Sequence, residues 1–361
     1  MPSSQETEPF GSLPDGRAAS VHTLDNRRLR VRITDYGARM VSIEMPGHDG
    51  TRRHVLLGLD GVSAYAAAGG SFGAVLGRCA NRIGGGRFEL DGRTYNLATN
   101  DRGSTLHGGP VGFGQVLWQL IEAQGGDAPG LVLSHVSPDG DQGFPGTLTA
   151  QATYRLDADT LWLTLEASTD QPTVVNLSAH PYFNFAGVER HDILSHEVSI
   201  HAGRFLPTDA RQIPTGERRP VADTPFDFRH PLALGVHIRL GDPQLLHGRG
   251  YDVCFALDGG ETERPRPVAT ARDPASGRGV EILTTQPGLQ LYSGNSLNGS
   301  VVGRDGVAFR QSAGFAFEAQ GFPDAPNHPD FPSAVLRPGM RYRQVIGYRF
   351  THSVPGAAGR A

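Results

Sequence analysis

The fold class is decided by two neighbouring stretches, Leu148-Thr-Ala-Gln-Ala-Thr-Tyr-Arg-Leu156 and Leu161-Trp-Leu-Thr-Leu-Glu-Ala167. In both, apolar and polar residues alternate with a period of two, which is the pattern of a β-strand that buries one face. The segment between them, Asp157-Ala-Asp-Thr160, has the short polar side chains that favour a tight turn. The pair therefore predicts an antiparallel β-hairpin.

The same signal recurs along the chain. Further strands are predicted at residues 31–34, 131–136, 280–283, 290–292, 315–318 and 342–350. The 48 glycines and 26 prolines are spread from end to end and interrupt the chain too often for long helices. We predict an all-β fold, a large antiparallel β-sandwich with few short helices.

No shift in composition marks a linker, so the sequence predicts a single domain over residues 9–352. Even the most proline-rich stretch, residues 207–231, keeps the regular aromatic and aliphatic residues that a flexible tether lacks. The ends, residues 1–8 and 353–361, are polar or rich in glycine and alanine. We expect these two ends to be frayed.

Charge and composition exclude several classes of function. The 33 basic and 37 acidic side chains give a net charge of −4, which offers no electrostatic reason to expect nucleic acid or an anionic membrane as partner. The sequence contains no lysine, so a Schiff base or a phosphate-binding lysine is excluded. The N-terminus lacks the pattern of a secretory signal, and no apolar run is long enough for a membrane span.

The two cysteines, Cys79 and Cys254, lie far apart and outside any Cys-x-x-Cys, so neither a zinc site nor a disulfide framework is indicated. Free thiols suit a reducing compartment. We expect a soluble cytoplasmic protein that is a monomer or a weak dimer.

Two motifs combine polar side chains with glycines. In residues 77–86, Asn81 and Arg82 stand side by side and precede three glycines, which allow a ligand to approach the backbone. In Leu106-His-Gly-Gly-Pro110, His107 is bracketed by residues without long side chains. Each motif alone is also typical of a solvated surface turn. Together they indicate polar binding groups and an acid–base residue.

Two strand-like segments carry further polar groups. In residues 174–185 a period of two places Asn176, Ser178 and His180 on one face, which indicates either a polar pocket or an outer solvated face. In Gly314-Phe-Ala-Phe-Glu-Ala-Gln320, Glu318 is a single carboxylate between small alanines, which leaves room for a ligand. An ordinary exposed glutamate is the alternative.

Two further segments, the second of them a turn, complete the candidate set. Gly250-Tyr-Asp-Val-Cys-Phe255 contains Asp252, and Thr284-Thr-Gln-Pro-Gly288 presents Gln286. Imidazole, carboxylate, amide and guanidinium groups without metal-ligand spacing suit a neutral polyol with many hydroxyl groups. The sequence therefore favours a sugar as ligand.

Further short motifs follow one another in a fixed order along the chain: Phe10-Gly, Tyr36-Gly-Ala, Leu57-Gly-Leu-Asp, Ile213-Pro-Thr-Gly, Thr224-Pro-Phe-Asp-Phe228, Tyr292-Ser-Gly-Asn and Glu318-Ala-Gln. With the motifs above, this series resembles the aldose 1-epimerase (galactose mutarotase) family over nearly the whole sequence. The resemblance implies a β-sandwich of the galactose mutarotase type, no metal and no cofactor. It also implies a monosaccharide substrate whose α and β anomers are interconverted.

The resemblance assigns roles to individual positions. It implies Glu318 as general base, His180 as general acid and His107 as a second histidine of the active site, with Asn81, Arg82, Asp252 and Gln286 binding sugar hydroxyls. Three positions depart from the usual family pattern, which has Asn before the acid histidine and His-Asn after the aspartate. Here Ala179, Val253 and Cys254 stand in those places. The sugar preference and the local support of Asp252 therefore stay open.

The expected chemistry needs only one acid and one base. A base removes the proton of the C1 hydroxyl, an acid protonates the ring oxygen, and the aldehyde turns and closes on its other face. Each positioned acid or base contributes about 10²–10⁴ in rate. The pair as implied requires charged Glu318 and protonated His180 at the start, which reference pKa values allow near neutral pH. A bell-shaped pH dependence is predicted.

Three other functions fit part of the pattern. A hexose 6-phosphate mutarotase would need more cationic groups than Arg78 and Arg82. A sugar-binding module without activity would not need both Glu318 and His180. A glycosidase needs two carboxylates flanking the bond, and Asp252 is the one other carboxylate in a matching motif.

Overall fold

The computed structural model describes residues 4–46, 51–189 and 192–352, and the chain there is built mostly of short β-strands. The first half contains β1 (Ser4–Ser12), β2 (Ala18–Asp25), β3 (Arg30–Thr34), β4 (Arg39–Pro46), β5 (Arg52–His54), α1 (Val62–Ala68), β6 (Val75–Leu76), β7 (Arg82–Ile83), β8 (Arg87–Leu90), β9 (Arg93–Asn96), β10 (Thr105–Leu106), β11 (Gln119–Gln124), β12 (Gly130–Ser137), β13 (Leu148–Asp157) and β14 (Thr160–Thr169).

The second half continues with β15 (Thr173–Val174), β16 (Ser178–Ala179), β17 (Glu197–Ile200), β18 (Arg204–Leu206), β19 (Arg219–Pro220), β20 (Leu232–Ala233), α2 (Pro243–Gly248), β21 (Asp252–Ala256), β22 (Arg266–Arg272), β23 (Arg278–Thr284), β24 (Gly288–Tyr292), β25 (Asn298–Val302), β26 (Ala308–Arg310), β27 (Ala316–Gln320), β28 (Val335–Leu336) and β29 (Tyr342–His352). Both α-helices are short, and the predicted all-β class is confirmed.

The hairpin that decides the fold class forms as the alternation predicts. β13 and β14 pair antiparallel along their full length, from Leu148 opposite Thr169 to Asp157 opposite Thr160. The apolar residues on one face, such as Leu156 and Leu163, are fully buried, whereas the polar residues between them contact solvent. The strands predicted at the other six positions also form. A period of two was therefore a sufficient signal for these elements.

Three antiparallel sheets contribute to the main core. One is the N-terminal five-stranded sheet, in the order β1-β2-β3-β4-β5. Of the other two, the larger has nine strands in the order β11-β12-β13-β14-β29-β23-β22-β17-β20, and the smaller has five in the order β19-β18-β21-β24-β27. One hydrophobic cluster contains Leu163 of the larger sheet together with Leu291 and Phe317 of the smaller one. The smaller sheet thus buries one face against the larger, which leaves its other face for a binding site.

The alternation within the smaller sheet decides which residues occupy that second face. Val253, Leu291 and Phe317 point into the core. Glu318 on β27 lies opposite Gln290 on β24 and therefore has the opposite orientation to its apolar neighbours. Polar side chains of adjacent strands are thus aligned side by side on the face that points away from the core.

The N-terminal segment differs from the prediction. Residues 4–8, expected to be frayed, belong to β1, which pairs with β2 from Ser4 opposite Asp25 onward. This pairing supplies the backbone hydrogen bonds that a free terminus lacks. The remaining residues expected to be frayed, 1–3 and 353–361, lie outside the described residues, and the single domain over 9–352 stays a prediction. Among the described residues, no helix is long and apolar enough to cross a membrane.

Candidate active site

An open cleft of about 750 Å³ lies over the polar face of the smaller sheet. Its lining contains six of the seven predicted site residues: Asn81, Arg82, His107, His180, Asp252 and Glu318. These six residues come from segments that are up to about two thirds of the chain apart in sequence. The fold thus brings together groups that the sequence presents as separate motifs.

His180 and Glu318 meet on the floor of the cleft. The imidazole Nε2 lies 3.5 Å from Glu318 Oε1, and the two residues are only 4% and 2% exposed. Neither Glu318 Oε2 nor His180 Nδ1 has a hydrogen-bond partner among the described residues. A buried carboxyl group and a buried imidazole therefore share one contact and keep unsatisfied polar atoms, which is an arrangement typical of an acid–base pair.

The segment that carries His180 is held directly against the strand that carries Glu318. Ser178 Oγ donates a hydrogen bond of 2.8 Å to the carbonyl of Ala319. The Gly321 N–H donates to Asn176 Oδ1 at 2.8 Å, and Asn176 Nδ2 donates back to the Gly321 carbonyl at 3.3 Å. These bonds join the residues just after Glu318 to the segment just before His180, and thereby fix the distance between the two side chains.

This arrangement corrects one sequence-based expectation. Residues 174–185 do not form one strand. Within this stretch the chain contains only the end of β15 and the two-residue strand β16. Asn176 and Ser178 do not line the cleft: Ser178 binds the backbone of Ala319 on β27, and Asn176 binds the backbone of Gly321 just after that strand. Only His180 of the three aligned residues reaches the cleft, since the polar groups beside it are needed to satisfy buried backbone atoms.

Burial pushes both members of the pair towards their neutral forms. It raises the pKa of Glu318 well above its usual value, and the negative charge of Asp252 adds to this while Arg82 opposes it. Burial also lowers the pKa of His180 to about 4. The free site thus favours a neutral carboxyl group beside a neutral imidazole. In this state the pair holds one exchangeable proton, on Glu318. The charged pair expected from the sequence holds the same number, with the proton on His180.

His107 is held by a reciprocal pair of hydrogen bonds. The Asn81 N–H donates to His107 Nδ1 at 3.1 Å, and the His107 N–H donates to the Asn81 carbonyl at 2.9 Å. Both residues adopt the left-handed conformation, with φ values of 53° for His107 and 58° for Asn81. Because Nδ1 accepts a backbone proton, the neutral ring carries its own proton on Nε2. Burial, His180 and Arg82 lower the pKa of His107 well below its usual value, so it is a neutral donor.

The same observation decides whether these side chains suit a metal ion. His107, His180 and Glu318 each offer a ligand atom within 4.8 Å of the others. A metal ligand must present a free lone pair, but His107 uses Nδ1 as an acceptor and keeps a proton on Nε2. The donor set therefore fits hydrogen bonding better than metal coordination.

A chain of hydrogen bonds forms one wall of the cleft. Arg82 donates to Asp101 at 2.7 Å and to Gln212 Oε1 at 3.1 Å. Gln212 Nε2 and Gln290 Nε2 both donate to Asp252, the second at 2.6 Å. The carboxylate of Asp252 is thus fixed by two amides. Sequence reasoning missed Asp101, Gln212 and Gln290, although a glutamine within an otherwise apolar strand was a visible signal for Gln290.

Gln286 is the predicted site residue that does not reach the cleft. It follows β23 in the turn before β24, and its side chain lines a separate cavity of about 260 Å³ together with Cys79 and Asn176. Gln290, four residues later, lies opposite Glu318 and binds Asp252. The turn aims Gln286 away from the sheet face, and the strand alternation aims Gln290 towards it. Gln286 therefore does not lie with the other predicted site residues, and it is Gln290 that contacts Asp252.

The three departures from the family pattern lie around the site without breaking it. Ala179 is fully buried on β16 and pairs with Val75 of β6. Val253 packs in the core, and Cys254 lies opposite Gln290 on the sheet. Both cysteines are free, and burial raises the pKa of the Cys79 thiol to about 12. The support of Asp252, which the sequence left open, comes from glutamine side chains.

Comparison with known proteins gives matches over nearly the whole chain. A family model described as aldose 1-epimerase matches residues 20–349. Galactose mutarotase of Homo sapiens is 40% identical over 343 residues, which cover 95% of this chain and 97% of the human protein. Aldose 1-epimerase of Escherichia coli (strain K12) is 36% identical over 341 residues, 93% of this chain and 96% of that protein.

Solved structures agree with these matches. The crystal structure of galactose 1-epimerase from Lactobacillus acidophilus NCFM superposes with a TM-score of 0.86 at 25% identity. The superposition covers 98% of this chain and 100% of that one. An aldose epimerase homologue from C. elegans gives a TM-score of 0.82 at 26% identity, with 97% and 100% covered. The predicted sandwich of the galactose mutarotase type is thereby confirmed.

Proposed function

This chain belongs to the aldose 1-epimerase family and is a carbohydrate isomerase, and from this premise we propose that it interconverts the α and β anomers of free aldohexoses such as glucose and galactose. We further propose that Glu318 is the general base and His180 the general acid. One observation carries the proposal above all others: the 3.5 Å contact between the two side chains on the floor of the cleft.

Ring opening uses the single proton that the pair holds. In the reactive form this proton is on His180 and Glu318 is a carboxylate. Glu318 accepts the proton of the C1 hydroxyl, while His180 donates its proton to the ring oxygen as the C1–O5 bond breaks. The aldehyde turns about C1–C2, and the two transfers run in reverse to close the ring on the other face.

The buried environment favours this sequence of charges. Ring opening converts the carboxylate and imidazolium into a neutral acid and a neutral imidazole. This is the state that burial stabilises, because it raises the pKa of Glu318 and lowers that of His180. The charged form is reached from it by transfer of one proton across the short gap. No proton needs to be exchanged with solvent, which suits a reaction that runs in both directions.

The remaining side chains of the cleft orient the sugar. His107 donates a hydrogen bond from Nε2 to an oxygen near the reacting carbon, because its other nitrogen is occupied by Asn81. Asn81, Arg82 and Asp252 bind hydroxyl groups of the sugar. In place of Gln286, Gln290 fixes the orientation of Asp252.

The alternative functions receive less support. Arg78, one of the two cations considered for a phosphate, is buried and donates to Ser137, Pro138 and Pro145. The Asp252 carboxylate, the second acid that a glycosidase would need, is fixed by two amides. A binding module without activity would have no use for a buried acid–base pair in contact at 3.5 Å.

Polarimetry on freshly dissolved α-glucose and α-galactose tests the proposal. The wild-type protein is expected to accelerate the change in rotation, and Glu318→Gln and His180→Asn to reduce kcat by roughly 10² or more each. Circular dichroism and thermal unfolding would show that both variants keep the fold. Mutarotation by Glu318→Gln at the wild-type rate would refute the assignment of the base.

A further inference from the structure

Tyr182 is held beside His180 by backbone contacts of Tyr182 itself and of the residue after it. Its carbonyl accepts a hydrogen bond of 2.9 Å from the Leu57 N–H, and the next residue, Phe183, pairs with Phe315. His180 and Tyr182 are two residues apart in an extended segment, and both side chains line the cleft. The ring of Tyr182 is only 6% exposed. Its position relative to the histidine is therefore set by the fold.

The two rings are stacked face to face. Their centroids are 4.6 Å apart with an angle of 26° between the planes. Phe72 packs against the tyrosine at 5.0 Å, and Tyr292 meets it edge-on at 6.0 Å. Neighbours on these sides restrict rotation of the ring away from His180.

The hydroxyl group of Tyr182 has no hydrogen-bond partner among the described residues, although the ring lies in the wall of the cleft. Burial raises the pKa of this phenol well above its usual value, and the nearby Tyr292, Glu318 and Asp252 act in the same direction. The group therefore stays protonated. It can donate to or accept from a hydroxyl group of a bound sugar.

Few of the groups that face His180 stabilise the positive charge of its imidazolium form. Glu318 is the carboxylate in contact with it, at 3.5 Å. His107 and Tyr292 approach its ring edge-on, at 5.6 and 5.9 Å between centroids, and His107 is neutral. The face of an aromatic ring carries negative charge density and attracts a cation placed over it. Tyr182 presents such a face to the imidazole.

From this geometry we propose that Tyr182 is a positioning residue that stabilises the imidazolium form of His180 through its ring face and binds a sugar hydroxyl through its phenol oxygen. The inference rests on the proposed function, because it concerns the residue proposed as acid. An interaction with the charged form increases the share of the pair that carries its proton on His180. This share is the reactive form, so the stack increases kcat, whereas the phenol oxygen acts on KM.

The test separates the ring from the hydroxyl group. Tyr182→Phe keeps the ring, and pentafluorophenylalanine at position 182 keeps its shape but inverts the charge distribution of its face. Tyr182→Leu removes the ring. Tyr95→Leu is a matched control, since Tyr95 is stacked on Phe88 at 5.4 Å and 22°, away from the cleft. The readouts are kcat and KM at pH 7 and the titration of the His180 imidazole followed by NMR.

Tyr182→Phe is expected to raise KM roughly tenfold with the His180 titration unchanged. The pentafluorophenyl variant is expected to have a kcat roughly tenfold below that of Tyr182→Phe, and a His180 titration lower by up to about one pH unit. Tyr182→Leu, if folded, shifts both quantities in the same direction, and Tyr95→Leu shifts neither. Equal kcat and equal titration for the phenyl and pentafluorophenyl rings would overturn the ring's role. An unchanged KM in Tyr182→Phe would overturn the role of the phenol oxygen.

Failure of this inference differs from failure of the proposed function. If the wild-type protein does not accelerate mutarotation, or if Glu318→Gln retains full activity, the proposed function fails first. If the wild-type protein is active and Glu318→Gln is not, equal behaviour of the two rings at position 182 overturns only the inference about Tyr182.

Discussion

Two glutamines four residues apart provide a sharp test of how the cleft recognises sugar. Gln290 and Gln286 are similarly buried, at 3% and 5% exposure, but Gln290 binds Asp252 of the cleft lining, whereas Gln286 lines a separate cavity. Its Nε2 donates a hydrogen bond of 2.6 Å to Asp252 Oδ1. We compare Gln290→Leu with Gln286→Leu, because each change removes an amide of the same size from an equally buried position.

The expected effect follows from the bond that is lost. A hydrogen bond to a charged group contributes about 1.5–3 kcal/mol. If Asp252 then loses its fixed orientation, the same amount is lost from sugar binding, which corresponds to a rise in KM of roughly 10- to 150-fold. The kcat is expected to change less, because Asp252 binds the sugar and takes no part in the two proton transfers. Gln286→Leu is expected to leave KM within about twofold, since its amide lies in the other cavity.

Polarimetry with galactose over a range of concentrations gives kcat and KM for both variants. Thermal unfolding serves as the control for stability, since both changes affect buried amides. An equal rise in KM for both variants would refute the reasoning, because it would show that the effect does not depend on contact with Asp252. A rise in Gln286→Leu alone would return the sugar-binding role to the residue that the sequence first suggested.

Three further predictions concern the pair and its framework. The pH profile of kcat/KM is expected to be bell-shaped. It falls below about pH 4, where His180 (pKa about 4) gains a second proton for the pair, and falls again above the raised pKa of Glu318, where the pair loses its one proton. A profile that lacks either the acid limb or the alkaline limb contradicts this. Gly108→Ala is expected to lower the free energy of unfolding by about 3 kcal/mol or more, because Gly108 has a φ of +89° and the added Cβ would lie 1.9 Å from the Gly77 carbonyl oxygen. Chemical denaturation measures this change, and an unchanged denaturation midpoint contradicts the prediction. Ser178→Ala removes the 2.8 Å hydrogen bond to the Ala319 carbonyl. It is expected to lower kcat roughly tenfold in steady-state assays with KM nearly constant. A change in KM alone would show that Ser178 does not set the distance between His180 and Glu318.

The sequence was sufficient wherever a local pattern has one physical solution. Alternating residues in 148–156 and 161–167 predicted a hairpin that forms with the expected register, because a period of two allows only one face to be buried. The motifs around Asn81, His107 and Glu318 marked residues that all reach one cleft. These assignments depended on the type of residue and on the resemblance to a family, and neither requires knowledge of distances.

The sequence was insufficient where a side chain's direction depends on distant backbone. Asn176 and Ser178 have the same local pattern as His180. They nevertheless bind the backbone of residues 321 and 319, at the end of β27 and more than a hundred residues away. The choice between Gln286 and Gln290 was similarly hidden, because it depends on which residue lies in register with Glu318.

What the sequence by itself determined is the class of the fold, the family and most of the chemical groups available to the site. What only the tertiary structure decided is the protonation and orientation of those groups: the neutral state favoured for Glu318 and His180, the tautomer of His107, and the amides that fix Asp252. The physical reason is that burial and hydrogen bonding act through space. A pKa or a tautomer is set by neighbours that the order of residues along the chain does not identify.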